Sequence, residues 1–142
     1  MKKTFIQEMS DRGYLNQCTD LSKLNEICEK KSISGYIGFD CTAKSLHVGS
    51  LVQIMILRLM QKHGHKPIVL LGGGTTLIGD PSGKDSTRKI LKKNEIKKNI
   101  QSIKKVFTTI LNTSDKNTAP IFIDNADWLT KLNYIYQFRW FR

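Results

Sequence analysis

Two polar loops hold the residues best suited to chemistry. The first, Asp40-Cys41-Thr42-Ala43-Lys44-Ser45-Leu46-His47-Val48-Gly49-Ser50, leads from an apolar strand-like run into a helical pattern. A helix starting there turns free amides and the positive end of its dipole toward whatever lies above the strand, which is an anion site. Gly49 would let a planar ligand approach the backbone. His47 can donate hydrogen bonds to phosphate oxygens whose charge grows in a transition state. Taken alone, a histidine at a helix start is more often a cap or a packing residue. The second loop, Gly72-Gly73-Gly74-Thr75-Thr76-Leu77-Ile78-Gly79-Asp80-Pro81-Ser82-Gly83-Lys84, stops another apolar run with three glycines.

Familiar phosphate-binding patterns do not account for these loops. Counting back from Gly83-Lys84 to where a Walker loop needs its first glycine lands on Ile78, and Lys84 is followed by Asp85. A dinucleotide fingerprint starting at Gly72 needs glycine at position 77, which is leucine, and no helix start is evident in the run. Cys18, Cys28 and Cys41 are odd in number, widely spaced and without a Cys-x-x-Cys pair. They read as packing thiols, not as a disulfide framework or, with His47, His63 and His65, a metal site.

The elements that must position the loops follow from apolar spacing. Residues 5–12 and 20–30 read as short covering helices, the second opening on Asp20 and holding Leu21, Leu24, Ile27 and Cys28. Residues 35–40 read as a buried strand, and 47–63 as a long helix closed by Gly64. That helix has apolar residues on most faces, so burial between layers is expected. The continuous run Pro67-Ile68-Val69-Leu70-Leu71 reads as a central parallel strand, and Ile121-Phe122-Ile123-Asp124 as a third strand. Between them Ile96, Ile100, Ile103, Val106, Phe107, Ile110 and Leu111 recur at helical spacing. Strand, helix, strand, helix, strand is a doubly wound α/β half, whose ligands sit at the carboxyl ends of strands. Asp40 and residues 72–80 mark those ends.

Composition narrows the classes. The chain of 142 residues is 39% hydrophobic, enough for one domain with a real core, and carries a formal charge of +11. Such an excess of lysine and arginine favours polyanionic partners such as nucleic acids or nucleotides. Residues 84–105 contain nine basic and two acidic residues, so most of the excess is concentrated there. The plainer reading of that stretch is the wet side of an amphipathic helix. No apolar run approaches the roughly 20 residues of a membrane-spanning helix, and Gln7, Glu8 and Asp11 interrupt any secretory apolar region. A cytoplasmic protein is expected.

The run Tyr36-Ile37-Gly38-Phe39-Asp40-x-Thr42-Ala43-x-Ser45-Leu46-His47-Val48-Gly49-Ser50-Leu51, followed by Gly64-His65-Lys66-Pro67-Ile68 and by residues 72–84, resembles the bacterial tyrosyl-tRNA synthetases. The likeness extends with matching spacing from about residue 4 to about residue 134. It implies the N-terminal half of a class I synthetase Rossmann-like fold, a parallel sheet with helices on both faces. The expected division is covering helices at 1–33, the first half of the catalytic domain at 34–134 and a divergent tail at 135–142. The implied reaction joins tyrosine to AMP and passes the tyrosyl group to tRNA-Tyr. The tyrosine carboxylate is itself the nucleophile, so the protein contributes positioning and charge stabilisation. ATP is a substrate, Mg2+ is expected with it, no protein-bound metal is expected, and relatives of this kind are homodimers.

The resemblance also implies roles. His47-Val48-Gly49-Ser50 stands where the family carries His-Ile-Gly-His. His47 would hold ATP phosphates in the transition state and Gly49 would lie under the adenine, with Gly38, Asp40, Thr42 and Ser50 completing the ATP contacts. Tyr36 would hydrogen-bond the substrate phenol, Asp80 would pair with its ammonium, and Asp40 would line the same pocket. Lys84 and Arg88 would close on the leaving pyrophosphate. Ser50 departs from the commoner second histidine and Cys41 from the usual proline. The second tyrosine-binding helix, the Lys-Met-Ser-Lys-Ser loop and the anticodon-binding domains are not in the sequence, so a truncated chain with impaired catalysis is expected. The alternatives are a non-enzymatic remnant that binds ATP or RNA, and another nucleotidyltransferase with a His-x-Gly-x motif.

Overall fold

The computed structural model describes residues 3–78 and 91–132. Two short helices come first, α1 (Phe5–Asp11) and α2 (Leu21–Lys30). Each is started by a side chain that takes up an orphan amide. Thr4 Oγ1 accepts from Gln7 N (3.2 Å) while Gln7 Oε1 accepts from Thr4 N (2.9 Å), and Asp20 Oδ1 accepts from Lys23 N (2.8 Å). The alternation then changes to that of strands. β1 (Ser34–Asp40), α3 (Val48–Lys62), β2 (Lys66–Gly72), α4 (Gly73–Ile78), α5 (Lys93–Ile110), β3 (Ile121–Asp124) and α6 (Ala126–Leu129) complete the described chain.

The three strands are parallel in the order β1-β2-β3, with Tyr36 opposite Ile68, Asp40 opposite Gly72 and Leu71 opposite Asp124. All three carboxyl ends therefore lie along one edge. Both crossover helices pack on one face of the sheet. Phe107 of α5 meets Phe39 and Phe122 edge-on at centroid distances of 4.7 and 6.1 Å, and Met60 of α3 lies directly over Gly35. The core sits here, with Ile54, Leu57, Val69, Leu71, Ile103 and Phe107 nearly inaccessible. Burying side chains of this size stabilises by about 1.5–3 kcal/mol each. The expected helical cover is thus present on this face. On the opposite face, among the described residues, Tyr36 is 70% exposed, and Ile68, Leu70 and Ile123 are half-buried.

Two expectations need correction. A helix, α4, does start in the glycine run. Glycine disfavours helix by about 1 kcal/mol per residue, but side chains from the end of β3 capture the first amides. Gly73 N donates to Asp124 Oδ1 (3.1 Å) and Gly74 N to Asn125 Oδ1 (2.7 Å). Position 77 is still leucine, so the dinucleotide pattern remains unmet. The second correction concerns α3, which is buried along one stripe but not between layers. Val48 is 85% exposed, and Leu51 and Val52 are close to half exposed, because among the described residues no element covers the outer side of its first turns.

Candidate functional site

The carboxyl edge of the sheet gathers three kinds of group. β1 supplies Tyr36, Gly38 and Asp40 on one face, since alternate residues of a strand point the same way. All three are exposed, and a Cβ added at Gly38 would meet nothing within 4 Å. Among the described residues nothing fills the space beside Gly38, between the phenol and the carboxylate. At the end of β1 the Asp40 carboxylate rests against Gly72, where a Cβ would come within 3.2 Å of Asp40 Oδ1 and 2.7 Å of Thr75 Oγ1. A side chain at position 72 would displace both.

The loop from Cys41 to His47 carries the chain from that carboxylate to the start of α3. It is fixed from below. Cys41 N donates to Thr76 Oγ1 (3.1 Å), and Cys41 O accepts from Asn99 Nδ2 (2.9 Å). The Cys41 thiol is fully buried, and burial pushes it up to about 11, so it stays protonated and is no nucleophile. Thr42 is exposed. His47 occupies the N-cap of α3 but its side chain makes no capping bond, which leaves the exposed imidazole available to a ligand. The ring lies against Gly49, where a Cβ would be 2.9 Å from His47 Cε1 and 3.0 Å from Nδ1. Gly49 is thus the seat of the imidazole as well as a gap for a flat ligand. Ser50 is buried on the inner side of α3.

Sequence reasoning passed over the groups that hold the glycine turn. Asp124 accepts from Gly73 N and from Ala126 N (2.9 Å), and Asn125 links Gly74 N to Thr75 Oγ1 (3.3 Å). The available signal was position alone, since both residues end the third strand, where such sheets collect functional groups. Of the expected residues, Tyr36, Gly38, Asp40, Thr42, His47, Gly49 and Ser50 fall on β1, its loop and α3. Asp80, Lys84 and Arg88 lie outside the described residues, as do the tail residues 135–142.

A parallel sheet with an open phenol, a strand-end carboxylate and an uncapped histidine at a 15-residue helix can hold an amino acid and an anion side by side. The sequence profile described as tRNA synthetases class I (W and Y) matches residues 28–141. The chain belongs to that family. Among curated relatives, the tyrosine–tRNA ligase of Pelagibacter ubique (strain HTCC1062) is 60% identical over 131 residues, which are 92% of this chain and 32% of the relative. The corresponding ligase of Rickettsia prowazekii (strain Madrid E) is 57% identical over 132 residues, 93% of this chain and 32% of its own length. The chain thus spans about a third of the curated relatives it matches. The class I synthetase fold is also seen by superposition. A C-terminally truncated Aspergillus nidulans mitochondrial tyrosyl-tRNA synthetase aligns with TM-score 0.81 and 26% identity, covering 97% of this chain and 42% of that one. The Coccidioides posadasii counterpart gives 0.75 and 26%, covering 97% and 40%.

Proposed function

We propose that this chain supplies the first half of a tyrosine–tRNA ligase active site, the half that receives tyrosine and the phosphates of ATP. One observation carries the reading: Tyr36, Gly38 and Asp40 stand open on a single face of β1, and the loop after it ends in an exposed imidazole that makes no capping bond at the start of α3. The phenol of Tyr36 can hydrogen-bond the substrate hydroxyl. Asp40, at the strand end, sits where the substrate backbone and nucleotide meet. The substrate carboxylate attacks the α-phosphate, and pyrophosphate leaves. His47 and the first-turn amides of α3 donate to the phosphate oxygens as charge builds on them. Such donors act through fixed placement and need no proton transfer. In the same reading Thr42 and Gly49 line the nucleotide side with Ser50 buried behind them, Asp80 pairs with the substrate ammonium, and Lys84 and Arg88 face the pyrophosphate.

Mg2+ would arrive with the nucleotide. Such an ion would be held largely by phosphate oxygens and water. The tyrosyl group would pass to tRNA-Tyr, with residues 1–33 as covering helices, 34–134 as the first half of the catalytic domain and 135–142 as a tail. A homodimer and a cytoplasmic setting belong to the same proposal. No described helix is long and apolar enough to cross a membrane.

The test is a chimera in which the 131 matched residues of this chain replace their counterparts in the Pelagibacter ligase. Tyrosine-dependent ATP–pyrophosphate exchange is the expected result. Exchange driven by tryptophan in place of tyrosine would overturn the substrate assignment, and a folded chimera with no exchange would overturn the site.

A further inference from the structure

Among the described residues, α5 carries five lysines: Lys93, Lys97, Lys98, Lys104 and Lys105. On α5 the buried stripe is Ile96, Asn99, Ile100, Ile103 and Phe107. At 100° per residue, Lys93, Lys97 and Lys104 fall together along one flank of that stripe, and Lys98 and Lys105 lie farther round toward solvent. The first row advances about 6 Å from Lys93 to Lys97 and about 10 Å more to Lys104. Its neighbours are β3 and α6. Lys104 Nζ stands 5.7 Å from the Phe122 ring centre, and Lys93 and Lys97 border a cavity of about 340 Å³ that Lys131 reaches from beyond α6.

The lysines on this face outnumber the carboxylates. The one acidic residue of α5, Glu95, is turned back to accept from Lys92 N (2.9 Å). Asp124, beside the cavity, already accepts from the amides of Gly73 and Ala126, and Asp127 is the other carboxylate on its wall. None of the five lysines forms an ion pair with a described carboxylate, whereas Lys23 and Lys30 of α2 both bridge to Glu26. The apolar stripe of α5 is sealed in the core, with Ile103 and Phe107 fully buried, so the helix cannot roll that face into a lipid surface. A straight row of ammonium groups that pair with no described carboxylate, beside a recess where three lysines outnumber two aspartates, matches a linear polyanion.

We propose that the Lys93-Lys97-Lys104 flank of α5, with Lys131, binds the phosphate backbone of RNA. The choice of RNA rests on the ligase reading above; the lysine geometry does not. Contacts of this kind fix position without reading sequence, so a tRNA-Tyr transcript and an unrelated hairpin RNA should bind alike.

The experiment measures binding of both RNAs to the 142-residue chain across a salt series, without tyrosine or ATP, and to anionic phosphatidylglycerol vesicles. A Lys93→Gln, Lys97→Gln, Lys104→Gln variant is compared with a control of equal charge change, Lys23→Gln, Lys30→Gln, Lys31→Gln. Circular dichroism monitors folding of each. Removing three phosphate contacts should lower the slope of log K against log salt by about 2–3 and weaken binding tenfold or more, with the control near the parent chain. Equal losses in both variants would reduce the effect to overall charge and overturn the proposal. Unchanged RNA binding in the α5 variant, or binding to vesicles but not to RNA, would overturn it as well. Because exchange by the chimera is measured separately, failure of the ligase reading and failure of this site give different results.

Discussion

The two ends of the sheet are both polar, yet they use polarity in opposite ways. At the amino end Glu8 and Gln61 are fully engaged, while the buried His65 ring is not. Glu8 of α1 is met by Lys62 at 2.7 Å, Arg12 at 2.8 Å and His63 at 2.9 Å. Buried Gln61 ties α3 to the loop before β3, donating to Asn112 O (2.8 Å) and Thr118 O (2.7 Å) and accepting from Asn112 N (2.9 Å). At the carboxyl end the side chains that face outward are open: the His47 ring makes no capping bond and Asp40 is exposed, as is Tyr36 farther back on the same face of β1. Only the layer beneath them, through Asp124, Asn125, Thr76 and Asn99, is tightly bonded. One end spends its hydrogen bonds on holding the chain together. The other keeps its outer groups free and its supporting layer fixed, which is what a binding site requires.

That contrast can be broken most decisively at His47. His47→Ala in the chimera should cut pyrophosphate exchange by about 10²–10³, the usual effect of losing one transition-state donor. Its unfolding free energy should stay within about 0.5 kcal/mol of the parent, as for a surface change. A large stability loss would make the histidine structural and erase the difference between the ends. The complementary change is Gln61→Leu, which strands two carbonyls and an amide. Urea unfolding of the 142-residue chain should show a loss of about 2–3 kcal/mol, while tyrosine affinity in the chimera should hold.

Acid titration sharpens the amino end further. Hydrogen bonds from Lys62, then His63 and Arg12, lower the Glu8 carboxyl from 4.5 to about 2. A carboxyl depressed in the fold stabilises fully above its unfolded value, so this contribution should fade as pH drops from about 4.5 toward 2. Glu8→Gln should flatten stability over that window. His65 acts at higher pH. It is 2% exposed, has no hydrogen-bond partner on either ring nitrogen, and packs edge-on to Phe5 at 5.1 Å. Burial, then the nearby His63, lowers its affinity for a proton. The unfolded chain therefore takes up a proton that the fold refuses, and stability should begin to fall as pH drops through about 6.5. This upper limb should survive in Glu8→Gln and vanish in His65→Leu. The smallest effect is expected at the phenol. Tyr36→Phe should weaken tyrosine binding by the chimera about fivefold, the equivalent of one neutral hydrogen bond near 1 kcal/mol; no change would remove Tyr36 from the site.

The sequence was most legible where structure is local. Apolar spacing anticipated α1, α2 and α3, helped by Asp20 at the start of α2 and Gly64 after α3, and the unbroken run at 67–71 anticipated a central parallel strand. Asp40 and His47 were singled out at a strand end and a helix start, and Tyr36 through the family resemblance; the structure puts Asp40 and His47 at the carboxyl edge and Tyr36 farther back on β1. What escaped depended on partners far along the chain. The helix at Gly73–Ile78 is started by side chains 51 residues away, and no local preference of glycine foretells that. The exposure of Val48, Leu51 and Val52 escaped for the converse reason, since an apolar helix does not announce which of its faces will find a neighbour.

The close packing of the glycine turn also reaches into the gene. A Cβ at Gly73 would lie 2.6–2.8 Å from atoms of the Asp124 carboxyl, and one at Gly74 would lie 3.1 Å from the Ala126 Cα. Every single-nucleotide missense change in a glycine codon introduces a Cβ. At Gly73 such a change must displace the Asp124 carboxyl, and at Gly74 it must shift the start of α6 by a few tenths of an ångström, so only synonymous third-position changes leave the turn as it is.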